Sequence, residues 1–125
     1  MLKLIKKLFG DKHEKDLKVL WPIVAEINSH YETVKNLTND ELINKTKEFK
    51  EKVQAHTEET RKNISDLKTR LQSDEDFDRN AAYDELDGLE EKLNDEYEEI
   101  LDELLPEAYA VVKSTCQRLV GTSWT

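Results

Sequence analysis

Apolar residues recur every three or four positions along most of the chain, which is the spacing of one face of an α-helix. No Gly or Pro interrupts residues 38–72. Two such seams follow each other, separated by a short polar stretch, so the pattern predicts an antiparallel, coiled-coil-like hairpin with a turn near residues 73–78. The first seam has one irregular step and a polar middle: Leu42, Thr46, Phe49, Val53, His56, Thr60, Ile64, Leu67 and Leu71. The second seam comprises Ala82, Leu86, Leu89, Leu93, Tyr97, Ile100 and Leu104.

The ends of the hairpin arms carry recognisable helix signals. Thr38 and Glu41 form a capping box, in which each side chain reaches the other residue's backbone amide, and Leu37 is half of a hydrophobic staple. The second arm is expected to be capped by Ser73, Asp74 or Asp76.

Shorter helices are predicted on either side of the hairpin. One covers about residues 12–31, and Pro22 either kinks it or starts a new helix. Trp21 beside it is expected in the core first and in a partner contact second. A last helix starts at Pro106, whose missing donor costs nothing in a first turn. The predicted organisation is therefore all-α: residues 1–36, an elongated hairpin over 37–105, a C-terminal helix over 106–121 and a truncated end over 122–125, with the hairpin packed on the shorter helices.

The first nine residues predict a short basic amphipathic helix that ends at Gly10. Leu2, Ile5 and Phe9 share one face, and three lysines take other positions. Two interpretations stay open. The helix either packs on its own protein or lies on anionic lipid or a membrane partner, where it would bind weakly and reversibly.

The amino-acid composition excludes several classes of fold and of binding site for this chain. The 125 residues are 37% hydrophobic and 38% charged, with 3 Gly and 2 Pro, which excludes a sandwich or barrel rich in tight turns. The net charge of -9 argues against generic nucleic-acid binding. The single cysteine, Cys116, excludes an internal disulfide and a cysteine zinc site, and its apolar helix face predicts a buried structural thiol. No apolar run is long enough to span a membrane.

Charge is distributed unevenly. Residues 1–20 carry a net +3, residues 38–72 a net +1, and residues 73–107, with 16 acidic and 2 basic side chains, a net -14. The two arms of the predicted hairpin therefore have complementary charge, which favours their register more than their stability.

Catalytic patterns are missing from the sequence. A di-metal carboxylate bundle needs Glu-x-x-His motifs, yet the residues three positions before the histidines are Gly10, Ile27 and Val53. No Gly-x-x-x-x-Gly-Lys-Ser/Thr loop occurs either. We therefore predict no catalytic, cofactor-binding or metal-binding residue in this chain.

Four segments resemble the SecA family of bacterial preprotein translocation motors. Residues 37–50 (LTNDELINKTKEFK) are similar to its pattern L-S-D-E-E-L-x-x-K-T-x-E-F-R. Residues 104–113 (LLPEAYAVVK) are similar to L-L-P-E-A-F-A-V-V-R. Residues 24–28 (VAEIN) resemble V-x-x-I-N, and residues 8–17 resemble the family's start. The motifs cover about residues 1–54 and 100–121, so residues 55–99 are interpreted as a hairpin insertion relative to many members.

The resemblance implies an N-terminal fragment of an ATP-driven motor, predicted to be inactive alone. ATP and Mg²⁺ would belong to the full-length protein, and no cofactor to this fragment. Implied partners are the SecYEG channel, anionic phospholipid and preprotein, with homodimerisation open. The implied location is cytoplasmic, on the inner face of the plasma membrane. Membrane or partner contact is assigned to Lys3, Leu4, Ile5, Lys6, Lys7, Leu8 and Phe9. The alternative is a free-standing helical adaptor or scaffold without catalytic activity, which a stop codon directly after Thr125 would favour.

Overall fold

The computed structural model describes residues 12–73 and 77–123. Within these ranges the chain forms three α-helices: α1 (Lys12–Val34), α2 (Asn39–Leu71) and α3 (Arg79–Leu119). Helices make up 89% of the described residues, and no strand occurs among them. The prediction of an all-α fold is confirmed.

The chain divides into two compact units. The hairpin unit is Ile43–Leu104 and contains most of α2 and the first part of α3. The terminal unit combines Met1–Leu42 with Leu105–Thr125, so it contains α1, the start of α2 and the end of α3.

Within the hairpin unit, α2 and α3 are antiparallel. Lys68 Nζ lies 2.7 Å from Glu90 Oε1, and His56 Nε2 lies 3.5 Å from Glu99 Oε2. A later residue of α2 contacts an earlier residue of α3, which is the order expected of two antiparallel helices. The Lys68–Glu90 ion pair joins a basic group of α2 to an acidic group of α3, as the uneven charge distribution predicted.

The buried seam of α2 differs from the predicted one at two positions, because Thr46 is exposed and Thr57 takes the place of His56. Thr57 and Thr60 are fully buried, whereas His56 is exposed. Exchanging His56 for Thr57 moves the irregular step to residues 49–57 and leaves a regular heptad seam over residues 53–71. On α3, the predicted Tyr97 is half-buried, and its neighbour Glu96, which continues the regular heptad steps, is half-buried as well. The seam of α2 is Val53, Thr57, Thr60, Ile64, Leu67 and Leu71, and that of α3 is Ala82, Leu86, Leu89, Leu93, Glu96 and Ile100.

Thr57, Thr60 and Glu96 form a polar layer within the apolar seam. The Thr60 hydroxyl donates to Glu96 Oε1 over 2.8 Å, and the Thr57 hydroxyl donates to the carbonyl of Val53 over 3.0 Å. Lys92 Nζ lies 3.5 Å from the same Glu96 oxygen. The second oxygen, Oε2, is buried without a hydrogen-bond partner. A shift of register would move these polar groups against apolar neighbours, so the layer favours the observed register.

The first turn of α3 is capped by Asp78. Its Oδ1 accepts hydrogen bonds from the backbone amides of Asn80 (3.0 Å) and Ala81 (3.1 Å). The cap therefore lies immediately before the first helical residue, Arg79. The prediction had placed it too early, at Ser73, Asp74 or Asp76.

The predicted capping box at the start of α2 is confirmed. The Thr38 amide donates to Glu41 Oε2 over 2.6 Å, and the Glu41 amide donates to Thr38 Oγ1 over 3.3 Å. The backbone hydrogen bond from Thr38 lowers the pKa of Glu41, because it stabilises the carboxylate. The bond between these two residues fixes where α2 begins.

Both prolines lie inside helices, which corrects one prediction. α1 continues through Pro22, and α3 continues through Pro106, so no separate C-terminal helix starts there. Each proline removes one intrahelical hydrogen bond. Burial on both sides of Pro106 compensates for that loss in α3, since Leu104 is 5% exposed and Ala110 is fully buried.

Candidate interaction site

The terminal unit is organised around a small apolar core contributed by all three helices. Its buried members are Val34 of α1, Leu42 of α2 and Ala110 of α3. Four partly buried side chains pack against them: Ile27, Tyr31, Leu37 and Val111. The core therefore joins residues 37–50 and 104–113, two motif segments that lie far apart in the sequence.

Polar contacts set the register between α1 and the end of α3. Lys113 Nζ donates to Asn28 Oδ1 over 2.7 Å and lies 4.4 Å from the centroid of the Tyr31 ring. The Tyr31 hydroxyl donates to Gln117 Oε1. The later residue of α1 contacts the later residue of α3, so α1 and the end of α3 run parallel. The cation–π contact adds an electrostatic attraction to the packing of the ring.

Arg118 holds the turn between α1 and α2. Its Nη1 donates to Asn39 Oδ1 over 2.7 Å, and its Nη2 donates to the backbone carbonyls of Lys35 and Leu37. One guanidinium thus satisfies acceptors on both sides of the turn. Sequence reasoning did not find this contact, because nothing in the local pattern connects residue 118 with residues some eighty positions earlier.

The residues predicted for membrane or partner contact lie outside the described residues. They are Lys3, Leu4, Ile5, Lys6, Lys7, Leu8 and Phe9.

Two predictions of burial are wrong. Trp21 is 62% exposed, so it does not belong to the core. Cys116 is exposed rather than buried. The broad apolar face of α3 explains this error. Only its side towards α1 is covered, and Cys116 lies on the other side.

The uncovered side of α3 forms a continuous apolar surface, which we call the outer stripe. Its members follow one another in steps of four, three, four and three residues, the spacing of a helix face that packs against another surface. The outer stripe consists of Leu105, Tyr109, Val112, Cys116 and Leu119. Of these residues, only Cys116 was predicted to be buried, and that prediction failed because periodicity alone does not show which side of a broad apolar face is covered.

The described residues contain no group of three or more His, Cys, Asp or Glu side chains that could hold a metal ion. None of the helices α1 to α3 is long and apolar enough to cross a membrane. What the described residues define is an all-α helical module with an exposed apolar stripe on α3.

Comparison with known proteins identifies the family. Residues 5–124 match the model of the SecA DEAD-like domain. The protein translocase subunit SecA of Chloroherpeton thalassium is 43% identical over 126 residues, covering 99% of this chain and 12% of the relative. SecA of Salinibacter ruber is 39% identical over 145 residues (99% of this chain, 12% of the relative), and SecA of Parabacteroides distasonis is 36% identical over 112 residues (90% and 10%). No solved structure matches the chain.

The chain belongs to the SecA family. It spans about an eighth of the length of the curated relatives that it matches. The family match also runs across residues 55–99, which the motifs alone did not reach.

Proposed function

We propose that this chain is the helical N-terminal part of a SecA-type protein translocation motor. The observation that carries the proposal is the family match over residues 5–124. The shared core adds support, because Leu42 and Ala110, each from one of the two longest motif segments, belong to the same cluster.

In this proposal the chain supplies contacts, and other parts of the SecA-length protein supply the chemistry. Since the sequence contains no Gly-x-x-x-x-Gly-Lys-Ser/Thr loop, we assign ATP and Mg²⁺ to those other parts and no residue of this chain to either. The partners are the SecYEG channel, preprotein and anionic phospholipid, and the place of action is the cytoplasmic face of the plasma membrane.

A chimera tests the role in translocation. The aligned N-terminal segment of Chloroherpeton thalassium SecA is replaced by this chain, and ATP-dependent movement of a preprotein into SecYEG-containing vesicles is measured. We expect the chimera to keep most of the parent's activity, because the two sequences align over 99% of this chain at 43% identity. A deletion lacking the segment is the control. A folded chimera that translocates no better than the deletion would contradict the proposal.

The membrane contact is assigned to the basic amphipathic segment, residues 3–9. Three lysines near an anionic surface each contribute about 1 kcal/mol of attraction, so changing Lys3, Lys6 and Lys7 to Gln should weaken binding to phosphatidylglycerol vesicles about a hundredfold. Co-sedimentation with vesicles at low and high salt measures this, and added salt should reduce binding of the unchanged chain.

The matched control changes three exposed lysines of α2 to Gln and lowers the net charge equally: Lys47, Lys50 and Lys62. It should bind vesicles almost as well as the unchanged chain. Equal losses in the two triple variants would show that overall charge, rather than residues 3–9, determines binding.

A further inference from the structure

An open cavity of about 310 Å³ lies in the terminal unit, between the end of α1 and the end of α3. Its volume is at the lower end of the range of small-molecule sites. Every lining residue carries a hydrogen-bond donor, and none of those that the structure describes is acidic: Tyr31, Lys35, Asn36, Ser114, Gln117 and Arg118. The chain has 28 acidic and 19 basic residues, so a cavity lined by cations and donors alone runs against its overall charge.

Ser114 is a buried residue of the cavity wall whose hydroxyl has no protein partner. It is 3% exposed, and its hydroxyl makes no hydrogen bond to another described residue. The neighbouring hydroxyl of Thr115, by contrast, donates to the carbonyl of Val111 over 2.9 Å. Buried polar groups are normally paired, because an unpaired one loses its hydrogen bonds to water without replacement. The Ser114 hydroxyl is therefore available to donate to a group bound in the cavity.

Two side-chain amides supply further donors. Gln117 Oε1 accepts the hydrogen bond from the Tyr31 hydroxyl, and this orientation leaves the Gln117 NH₂ group available to donate. The Asn36 side chain makes no hydrogen bond within the part of the chain that the structure describes. The cavity thus has unused donors on α3 and on the turn that follows α1.

Arg118 contributes positive charge to the cavity and little directional bonding. Its Nη1 is engaged by Asn39 Oδ1, and its Nη2 by the carbonyls of Lys35 and Leu37. The planar fork that arginine offers to a carboxylate is therefore already occupied. The charge itself is not neutralised, because all three acceptors are uncharged.

Lys35 is the second cation of the lining and the one that can move. Its ammonium donates to Glu32 Oε2, and this hydrogen bond raises the pKa of Lys35, so the group stays protonated. An ammonium has three N–H donors, and a single contact with Glu32 leaves two of them for a ligand. Glu32 is also a competitor, since its carboxylate attracts the same ammonium.

We propose that this cavity binds a phosphate group. The Ser114 hydroxyl, the Gln117 amide and the Lys35 ammonium donate to its oxygens, and the guanidinium of Arg118 adds charge. Donors on two separate elements suit a tetrahedral anion with several acceptor oxygens. A carboxylate is bound best by a planar fork, and the one in this cavity is occupied. The site needs only the terminal unit, so it is independent of the proposed function.

Titration of this chain with inorganic phosphate tests the site. The titration is followed by ¹H–¹⁵N NMR near neutral pH, with sodium chloride adjusted to hold the ionic strength constant. We expect saturable shifts of the backbone amides of Ser114 and Gln117, and none at Lys68 in the hairpin unit. Shifts that sodium chloride reproduces equally would overturn the proposal.

Two variants remove single donors from the site. Ser114→Ala should weaken phosphate binding about fivefold, because one hydrogen bond is lost while alanine keeps the helix intact. Lys35→Gln should weaken it by a similar factor. The matched control is Lys47→Gln, which removes the same charge from an exposed position of α2 and should leave the affinity within about twofold. Phosphate affinity that is unchanged in both donor variants, with circular dichroism showing them folded, would overturn the proposal.

Glu32→Gln should have the opposite effect. It removes the carboxylate that competes for Lys35, so phosphate binding should become about threefold tighter. Glu58→Gln, a change of the same charge at an exposed position of α2, should have little effect. Equal gains in the two variants would show that phosphate responds to the net charge of the chain, and would overturn the proposal of a local site.

Two phosphate esters identify the source of the group. Glycerol 3-phosphate carries a monoester, as soluble phosphorylated metabolites do, and glycerophosphoglycerol carries the diester of the phosphatidylglycerol headgroup. Tighter binding of the monoester would support a soluble ligand, and tighter binding of the diester would support a lipid headgroup. Absence of saturable shifts with inorganic phosphate and with both esters would overturn the proposal.

Discussion

Changing Ala110 to Asp is expected to destabilise the terminal unit by about 3–5 kcal/mol, because it places an unpaired charge in a closed apolar site. Ala110 is fully buried and lies in one cluster with Val34 and Leu42. An aspartate there would have to ionise among apolar neighbours or push α3 away from the core. Hydrogen exchange should show amides of α1 losing protection, while amides of the hairpin unit keep most of theirs.

Val112→Asp is the control for this experiment. It introduces the same side chain two positions away on the same helix, where the native residue is 57% exposed. The free energy of unfolding should change by less than about 0.5 kcal/mol. Equal losses for the two variants would mean that the division of α3 into a buried and an uncovered side is wrong.

The second large effect is expected in the hairpin unit, from Ile100→Ala. Ile100 is 5% exposed and belongs to the seam between α2 and α3. Removing its three outer carbons should lower the free energy of unfolding by about 2–4 kcal/mol, through lost apolar burial and the cavity left behind. Urea denaturation followed by circular dichroism measures the change.

Leu101 is the neighbouring comparison, since it is 55% exposed. Leu101→Ala should cost less than about 0.5 kcal/mol. If it costs as much as Ile100→Ala, then Leu101 is covered in solution, and the surface assigned to solvent is instead a contact.

Helix periodicity was sufficient to predict the all-α fold and most of the hairpin seam, because burial in a helical pair depends mainly on spacing. The capping box was predictable for a similar reason, since Thr38 and Glu41 act within one turn. The predicted seam was wrong at Thr57, which is buried, whereas the neighbouring His56, which had been predicted in the seam, is exposed. A step of three residues after Val53 predicted the histidine, whereas the structure has a step of four, which places the threonine in the seam.

The arrangement of the terminal unit was not predictable from local patterns. The parallel register of α1 and α3 depends on Lys113 reaching Asn28, and the turn after α1 depends on Arg118. These contacts join residues that lie 79 to 85 positions apart in the sequence. They therefore leave no periodic signal in either segment. For the same reason the uncovered side of α3 became evident only when the covered side was known.

The polar layer limits how the hairpin can change in length during evolution. Thr60 and Glu96 face each other across a regular heptad seam. Removing residues from one arm alone would shift the Glu96 carboxylate along the seam and break its hydrogen bond with the Thr60 hydroxyl. Whole heptads lost or gained equally by both arms on the tip side would keep the pair together. Natural length variation in this region of SecA proteins should therefore occur in matched heptad steps, with the threonine–glutamate pair as the fixed point from which they are counted.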